Sequence, residues 1–189
     1  DSDVDKYIKN GEKEEGYIFL GNKETNGQND LWIVETDKNG IIKKEWSGGG
    51  NENDYLNDMI IENDGSIVLC GETFSKSFID ISTVAHSDGF VIKLDNNYQE
   101  EWSVTTGDYE YERLEYIQKN NSYYYCVGTT YNDYNLTNNR EILIIKVNQN
   151  GKQIFNKKIQ RFLTFLSFWL LNMLIIYDFL GGFRYKINN

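Results

Sequence analysis

The chain has 189 residues, 29 acidic and 19 basic side chains, a formal charge of −10, no proline and two cysteines. That acidity sets nucleic acid aside as a partner, because phosphates would be repelled. Two cysteines cannot form a disulfide framework, and the length allows one large domain or one and a half small ones.

The charge is unevenly placed. Residues 1–150 carry 13 basic and 28 acidic side chains, a net of −15, while residues 151–189 carry six and one, a net of +5. The 14 Tyr, 10 Phe and 4 Trp favour strands. Without proline, turns fall to Gly, Asp and the 23 Asn. A start at Asp1 with neither Met nor signal peptide predicts a processed chain or a fragment.

Residues 1–15 are polar and weakly periodic, and read as a lead-in or a piece of an earlier repeat. The first clear strand is YIFLG (17–21). Its counterparts are SIVLCG (66–71) and YYYCVG (123–128), with their glycines 50 and 57 residues apart. A glycine at a repeated strand end predicts a bulge or a close backbone approach. Polar segments of unequal length follow: NKETNGQN, ETFSKSFIDISTVAHS and TTYNDYNLTNNR. Variable length at one place in a repeat marks the surface where binding loops sit.

The stretch that organises the chain comes next, as DLWIVETDKNGIIKKEW (30–46), DGFVIKLDNNYQEEW (88–102) and EILIIKVNQNGKQIF (141–155). One face carries Trp32/Val34/Thr36, Phe90/Ile92/Leu94 and Leu143/Ile145/Val147. The other carries Ile33/Glu35, Val91/Lys93 and Ile144/Lys146. This is period two, the alternation of a strand. The turns DKNG, DNNY and NQNG have the Asx side chains and tolerance of positive φ that a tight hairpin needs. The first copy reads as having two extra residues, Ile41 and Ile42, before its tryptophan. In the same alignment Cys126 lies opposite Leu69 and Cys70 opposite Val127. The thiols are therefore expected on opposite strand faces, buried and free.

A fourth segment, DYLNDMIIEN (54–63) or YERLEYIQKN (111–120), follows a Gly/Asn/Asp-rich link and closes each unit. The fold expected is all-β: a partial β-propeller of repeated four-stranded antiparallel blades. Its divisions are a lead-in (1–15), blades at 16–64, 65–121 and an incomplete 122–160, and an apolar, helix-compatible tail at 161–189. So incomplete a set cannot close a ring, so closure requires further blades or other chains.

The segments GGGNENDY, ENDGSIVLCGET and SDGFVIKLDNNYQEEW resemble the bacterial β-propeller repeats of this period, over residues ~16–159. The resemblance implies a secreted or cell-surface protein. Asp37 to Trp46 also looks similar to the repeats of quinone-type and assembly-lipoprotein propellers, the alternative reading.

In the tail, Phe162 to Tyr177 is free of charge and flanked by basic residues; extended to Leu180 it reaches the length of a membrane span only by including Asp178. A membrane segment, an element packed on the blades and a non-native extension all remain open for it. A membrane-anchored fragment of a larger surface protein is a further alternative for the whole chain.

Catalytic chemistry finds little footing. The only histidine is His86, and no nucleophile-elbow or phosphate-loop context exists. No catalytic residues and no metal ligands are assigned, and no cofactor is expected. Calcium is a weaker alternative at Asp37–Gly40 and Asn63–Gly65, where the turn role already explains the residues. The binding candidates are loop side chains: Phe74, Phe78, His86, Tyr131 and Tyr134. Loop aromatics can anchor a protein or stack on a carbohydrate. A non-enzymatic scaffold binding protein or glycan through its variable loops is therefore the expectation.

Overall fold

The computed structural model describes residues 4–8, 15–76, 86–107, 110–131 and 140–159, with the backbone alone for 4–8 and Glu15. The tail and its membrane reading lie outside the described residues. Among those residues there are twelve strands and no helix, so no helix there could cross a membrane, which says nothing of strands.

The strands form three antiparallel sheets of four, each a simple meander. Sheet I is β1 (Val4–Ile8), β2 (Glu15–Thr25), β3 (Gln28–Asp37) and β4 (Ile42–Gly48). Sheet II is β5 (Asp54–Ile61), β6 (Ile67–Thr73), β7 (Asp88–Leu94) and β8 (Glu100–Thr106). Sheet III is β9 (Tyr111–Asn120), β10 (Tyr123–Tyr131), β11 (Glu141–Asn148) and β12 (Gln153–Ile159). All three keep one orientation. The Asx turns and the turns joining β5 to β6 and β9 to β10 lie at one end (the turn end); the inter-sheet links, the two-residue turn at Asn26–Gly27 and the strand ends flanking the longer connections lie at the other (the link end).

This grouping cuts the repeat at a different place from the sequence reading. The segment beginning at Asp54 pairs forward with β6, Ile61 opposite Ile67, and β9 likewise pairs forward with β10. The hairpin signal lies in the turns joining them. Gly65 has φ +81° and donates its N–H to the Glu62 carbonyl, and Asn121 has φ +53°. Val4–Ile8, read as lead-in, pairs with β2 as the first strand of sheet I. The third unit is complete in strands. The first polar loop is also corrected: residues 22–29 continue β2 and β3 around a two-residue turn at Asn26 and Gly27 (φ +53° and +84°).

The repeated Asx turns are built alike. Asp37 Oδ1 accepts the N–H groups of Asn39 and Ile41, Asp95 Oδ1 those of Asn97 and Gln99, and Asn148 Oδ1 those of Asn150 and Lys152. The fourth turn residue is left-handed each time: Gly40, Tyr98 and Gly151. After the turn, Thr36 pairs with Ile42, Leu94 with Glu100 and Val147 with Gln153. The connections are equal in length, so Ile41 and Ile42 are no insertion. Trp46 simply stands two residues further along its strand than Trp102, opposite Ile33 where Trp102 is opposite Lys93. Two residues is one strand period, so its face is unchanged.

Two apolar layers hold the sheets together. Ile18, Leu20, Leu31 and Ile33 of sheet I meet Leu56, Met59, Ile67, Leu69, Phe90, Ile92 and Leu94 of sheet II. The other face of sheet II presents Val68, Cys70 and Val91 to Leu114, Ile117, Tyr124, Cys126, Leu143, Ile145 and Val147 of sheet III. Full burial of each such side chain stabilises by about 1.5–3 kcal/mol relative to exposure. The alternation seen in the sequence is therefore two interfaces, one per face of the middle sheet.

The cysteines lie in the second layer, free and fully buried. Opposite faces of equivalent strands keep residues apart within one sheet. Between consecutive sheets the same faces confront each other, so Cys70 and Cys126 share one buried layer. Burial first, then the neighbouring thiol, pushes Cys70 well above the ordinary thiol range. We expect neither cysteine to react with a water-soluble maleimide in the native protein, and both to react in guanidinium chloride. Rapid labelling of either in the folded state would contradict this packing.

Glycines 71 and 128 fulfil the expectation of close approach. Each lies opposite a bulge, between Leu56 and Asp58 on β5 and at the Val127/Gly128 step of the β10–β9 ladder. A Cβ on Gly71 would sit 2.0 Å from the Tyr55 carbonyl oxygen, and one on Gly128 1.8 Å from that of Arg113. Gly21 has nothing within 4 Å of that position, and its pairing with β3 is regular.

Candidate functional site

The link end gathers the inter-sheet links, the segment after β6 and the approach to β11. Its frame is a set of carboxylates seated at strand ends. Asp54, fully buried at the start of β5, accepts from Thr73 Oγ1, from Ser75 Oγ at 2.8 Å and from the Gly50 N–H at 2.8 Å. Thr73 is the threonine of the Gly-x-Thr ending. Burial raises the Asp54 pKa, against the lowering effect of these bonds, and Asp30 nearby raises it further.

Asp30 and Asp88 occupy equivalent positions at the start of the third strand of their sheets. Each lies against a link glycine: a Cβ on Gly49 would meet Asp30 Oδ1 at 2.6 Å, and one on Gly107 would meet Asp88 Oδ1 at 2.0 Å. The Gly/Asp character of the links thus follows from packing.

The same end holds four stacked groups, of which Tyr111 and Tyr131 are register partners on the face of sheet III away from sheet II. The His86 ring meets Tyr111 edge to face, centroids 4.5 Å apart. Tyr111 stacks on Tyr131 at 5.1 Å with only 8° between the planes. The Arg140 guanidinium lies 5.4 Å from the centroid of the Tyr131 ring. They come from four chain segments: the end of the β6–β7 connection, the start of β9, the end of β10 and the residue before β11. The N–H of Glu112 ties this group together by donating to the Ser87 carbonyl at 2.9 Å.

Between sheets II and III at this end, Ser87 Oγ donates to Glu72 at 2.5 Å. Burial raises the Glu72 pKa, opposed by the Ser87 bond and by Arg113. Lys158 bridges Glu110 at 2.6 Å and Glu112 at 2.9 Å, and Thr130 Oγ1 donates to Glu110. The acidic, hydrogen-bonded groups thus lie on the sheet II side of β9 and β10, and the aromatic stack with the exposed Arg140 guanidinium on the other side.

Of the five residues singled out from sequence, His86 and Tyr131 come together through Tyr111. Phe74 belongs to another group, edge-on to Tyr55 with centroids 6.4 Å apart. Phe78 and Tyr134 lie outside the described residues. Tyr111 and Arg140 were missed. In sequence Tyr111 reads as a strand residue in a closing segment, and only forward pairing of β9 with β10 sets it opposite Tyr131. Arg140 directly precedes the third copy of the organising stretch, a position that could have drawn notice.

The turns weighed for calcium use their oxygens internally. Asp37 caps its own turn, and Asp64 accepts from both the N–H and the hydroxyl of Ser66. Among the described residues no group of three or more His, Cys, Asp or Glu is arranged to hold a metal ion. No family model and no curated protein matches this chain.

Proposed function

We propose that this chain belongs to a non-enzymatic β-propeller repeat scaffold, secreted or displayed at a cell surface, that binds a protein or glycan through its link end. The observation that carries this reading is the His86–Tyr111–Tyr131–Arg140 stack, assembled by separate segments where the connections vary most. Stacked rings present edges and hydroxyls to a ligand at little entropic cost, and a guanidinium adds a directional donor. Support for blades comes from three equal meanders packed face to face through equivalent positions.

The test is a glycan array and a pull-down from surface extracts, both with the full chain. Tyr131→Ala is expected to cut the captured signal about tenfold or more, the loss typical of a central aromatic anchor. Asn57→Ala, at the first bulge, should leave binding intact. If no ligand emerges while hydrolase or oxidoreductase assays register turnover, the scaffold reading is wrong.

A further inference from the structure

The two internal interfaces share a contact at the turn end. Lys44 on β4 is paired with Glu35. It extends over the turn of sheet II, donating its Nζ to the Asn96 carbonyl and lying 3.5 Å from the centroid of Tyr98. Trp102 on β8 is paired with Lys93 in the same way. It donates Nε1 to the Gln149 carbonyl at 3.0 Å and covers Gly151, where a Cβ would be 2.8 Å from its ring. Lys44 and Trp102 hold one repeat position, as do Asn96 and Gln149, and Tyr98 and Gly151. Each sheet thus caps the turn of the next.

Among the described residues, each half of this contact appears once more without its counterpart. Phe155 on β12, paired with Lys146, holds the capping position of sheet III. Gly40 holds the covered position of sheet I, and none of the described residues lies within 4 Å of where its Cβ would stand.

The sheet faces repeat the pattern. Sheet II offers the row Asp58, Cys70, Val91, Val104 to sheet III. The equivalent row on sheet III is Tyr116, Val127, Ile144, Lys157, on the face away from sheet II. Val127 and Ile144 are half-buried there, and Tyr116 is 68% exposed. Sheets II and III each receive their predecessor on the column Phe90/Ile92/Leu94 or Leu143/Ile145/Val147. On sheet I that column is Trp32/Val34/Thr36. Beside it stand the half-buried rings of Tyr17 and Phe19, and Val34 and Thr36 are buried at its centre.

We propose that a second copy of this chain covers the far face of sheet III with the outer face of its own sheet I, placing Phe155 of one copy over the Lys38–Gly40 turn of the other. This is a heterologous, head-to-tail interface, which builds rings or open chains instead of a two-fold dimer. It is argued separately from the ligand-binding reading, although the far face of sheet III also carries Tyr111 and Tyr131, so ligand and second copy would compete there.

The experiment is light scattering on the full chain, from micromolar to hundred-micromolar concentration. Wild type should at least double its mass with concentration. Ile144→Asp removes only the tail face and Phe19→Asp only the head face, so each alone should remain monomeric. An equimolar mixture of the two should give a 1:1 dimer, because one intact head meets one intact tail. Unchanged far-UV circular dichroism and buried thiols establish folding; Val127→Asp and Tyr17→Asp replace any variant that fails them. A monomeric wild type, association that persists in both variants, or a mixture that fails to pair each overturns the proposal. In a monomeric wild type, protection of Tyr116 and Tyr125 from hydroxyl-radical labelling would show that this chain covers the face itself.

Discussion

Gly71→Ala and Gly128→Ala are each expected to destabilise the protein by about 3 kcal/mol or more, at or beyond the upper end of core overpacking. A single methyl group is added, but its neighbours decide the cost. At both positions the nearest atom is a backbone carbonyl oxygen, at 2.0 Å from Tyr55 and 1.8 Å from Arg113. A carbonyl in a ladder cannot swing aside as a side chain can. Relief would require flattening the bulge, which shifts the register of β5 or β9 and with it the faces that bury Leu56 or Leu114. Gly21→Ala is the internal control. It shares the repeat position, meets nothing within 4 Å, and should change stability by about 0.5 kcal/mol or less, in either direction. Urea denaturation of the three variants checks both halves. Equal effects at all three sites would show that the glycines serve strand flexibility, not close approach.

Asp54→Ala is expected to cost about 3 kcal/mol, since it strands the Gly50 N–H and leaves the Thr73 and Ser75 hydroxyls only their longer bonds to the Ser75 and Glu52 carbonyls. Asp54→Asn is the more informative variant. It keeps one acceptor oxygen but turns an amide NH2 toward a donor, so at neutral pH it should also be less stable than wild type.

The pH dependence separates charge from shape. Burial raises the folded-state pKa of Asp54, so the native state holds that proton more tightly than the unfolded chain. The associated stability is fully present below the ordinary aspartate value. It is lost as pH rises through the raised folded value. The Asn variant has no such titration. The gap between wild type and Asp54→Asn should therefore be widest below the ordinary aspartate value and narrow as pH rises above it. Comparing the pair cancels Asp37, Glu45 and Asp64, whose lowered pKa values act in the opposite direction. A gap that widened with pH would mean that the charged carboxylate is favoured in this pocket.

Much of the fold is legible in short-range pattern. The alternation through Phe90, Val91 and Ile92 identifies strands and their two faces. The Asx side chains of Asp37, Asp95 and Asn148 identify turns through bonds spanning only a few residues. The repeated glycines announce close approach. What resists reading is pairing between segments. In a meander every inner strand has a sequence neighbour on each side, so alternation alone cannot say whether Asp54–Ile61 closes one sheet or opens the next. The turn at Asp64–Gly65 decides it, and it competes with the more conspicuous glycine run at 48–50.

The same gap explains the cysteines. Opposite faces are a correct local inference, yet contact between Cys70 and Cys126 depends on stacking one sheet on another. The aromatic group is half legible for the same reason: His86 and Tyr131 stand out as loop residues, whereas Tyr111 gains its role only once β9 is placed.

Every link between sheets leaves from one end, and this shapes how the chain would carry a mechanical load. Sheet II is entered at Asp54 and left at Thr106, both at the link end and on opposite edges of the sheet. Tension applied through these points acts across the strands, along the line of the ladder hydrogen bonds. The bonds then break in succession, as a zipper opens, instead of resisting together in shear. A scaffold of such sheets, pulled from its ends, would lengthen strand by strand and act as an extensible tether.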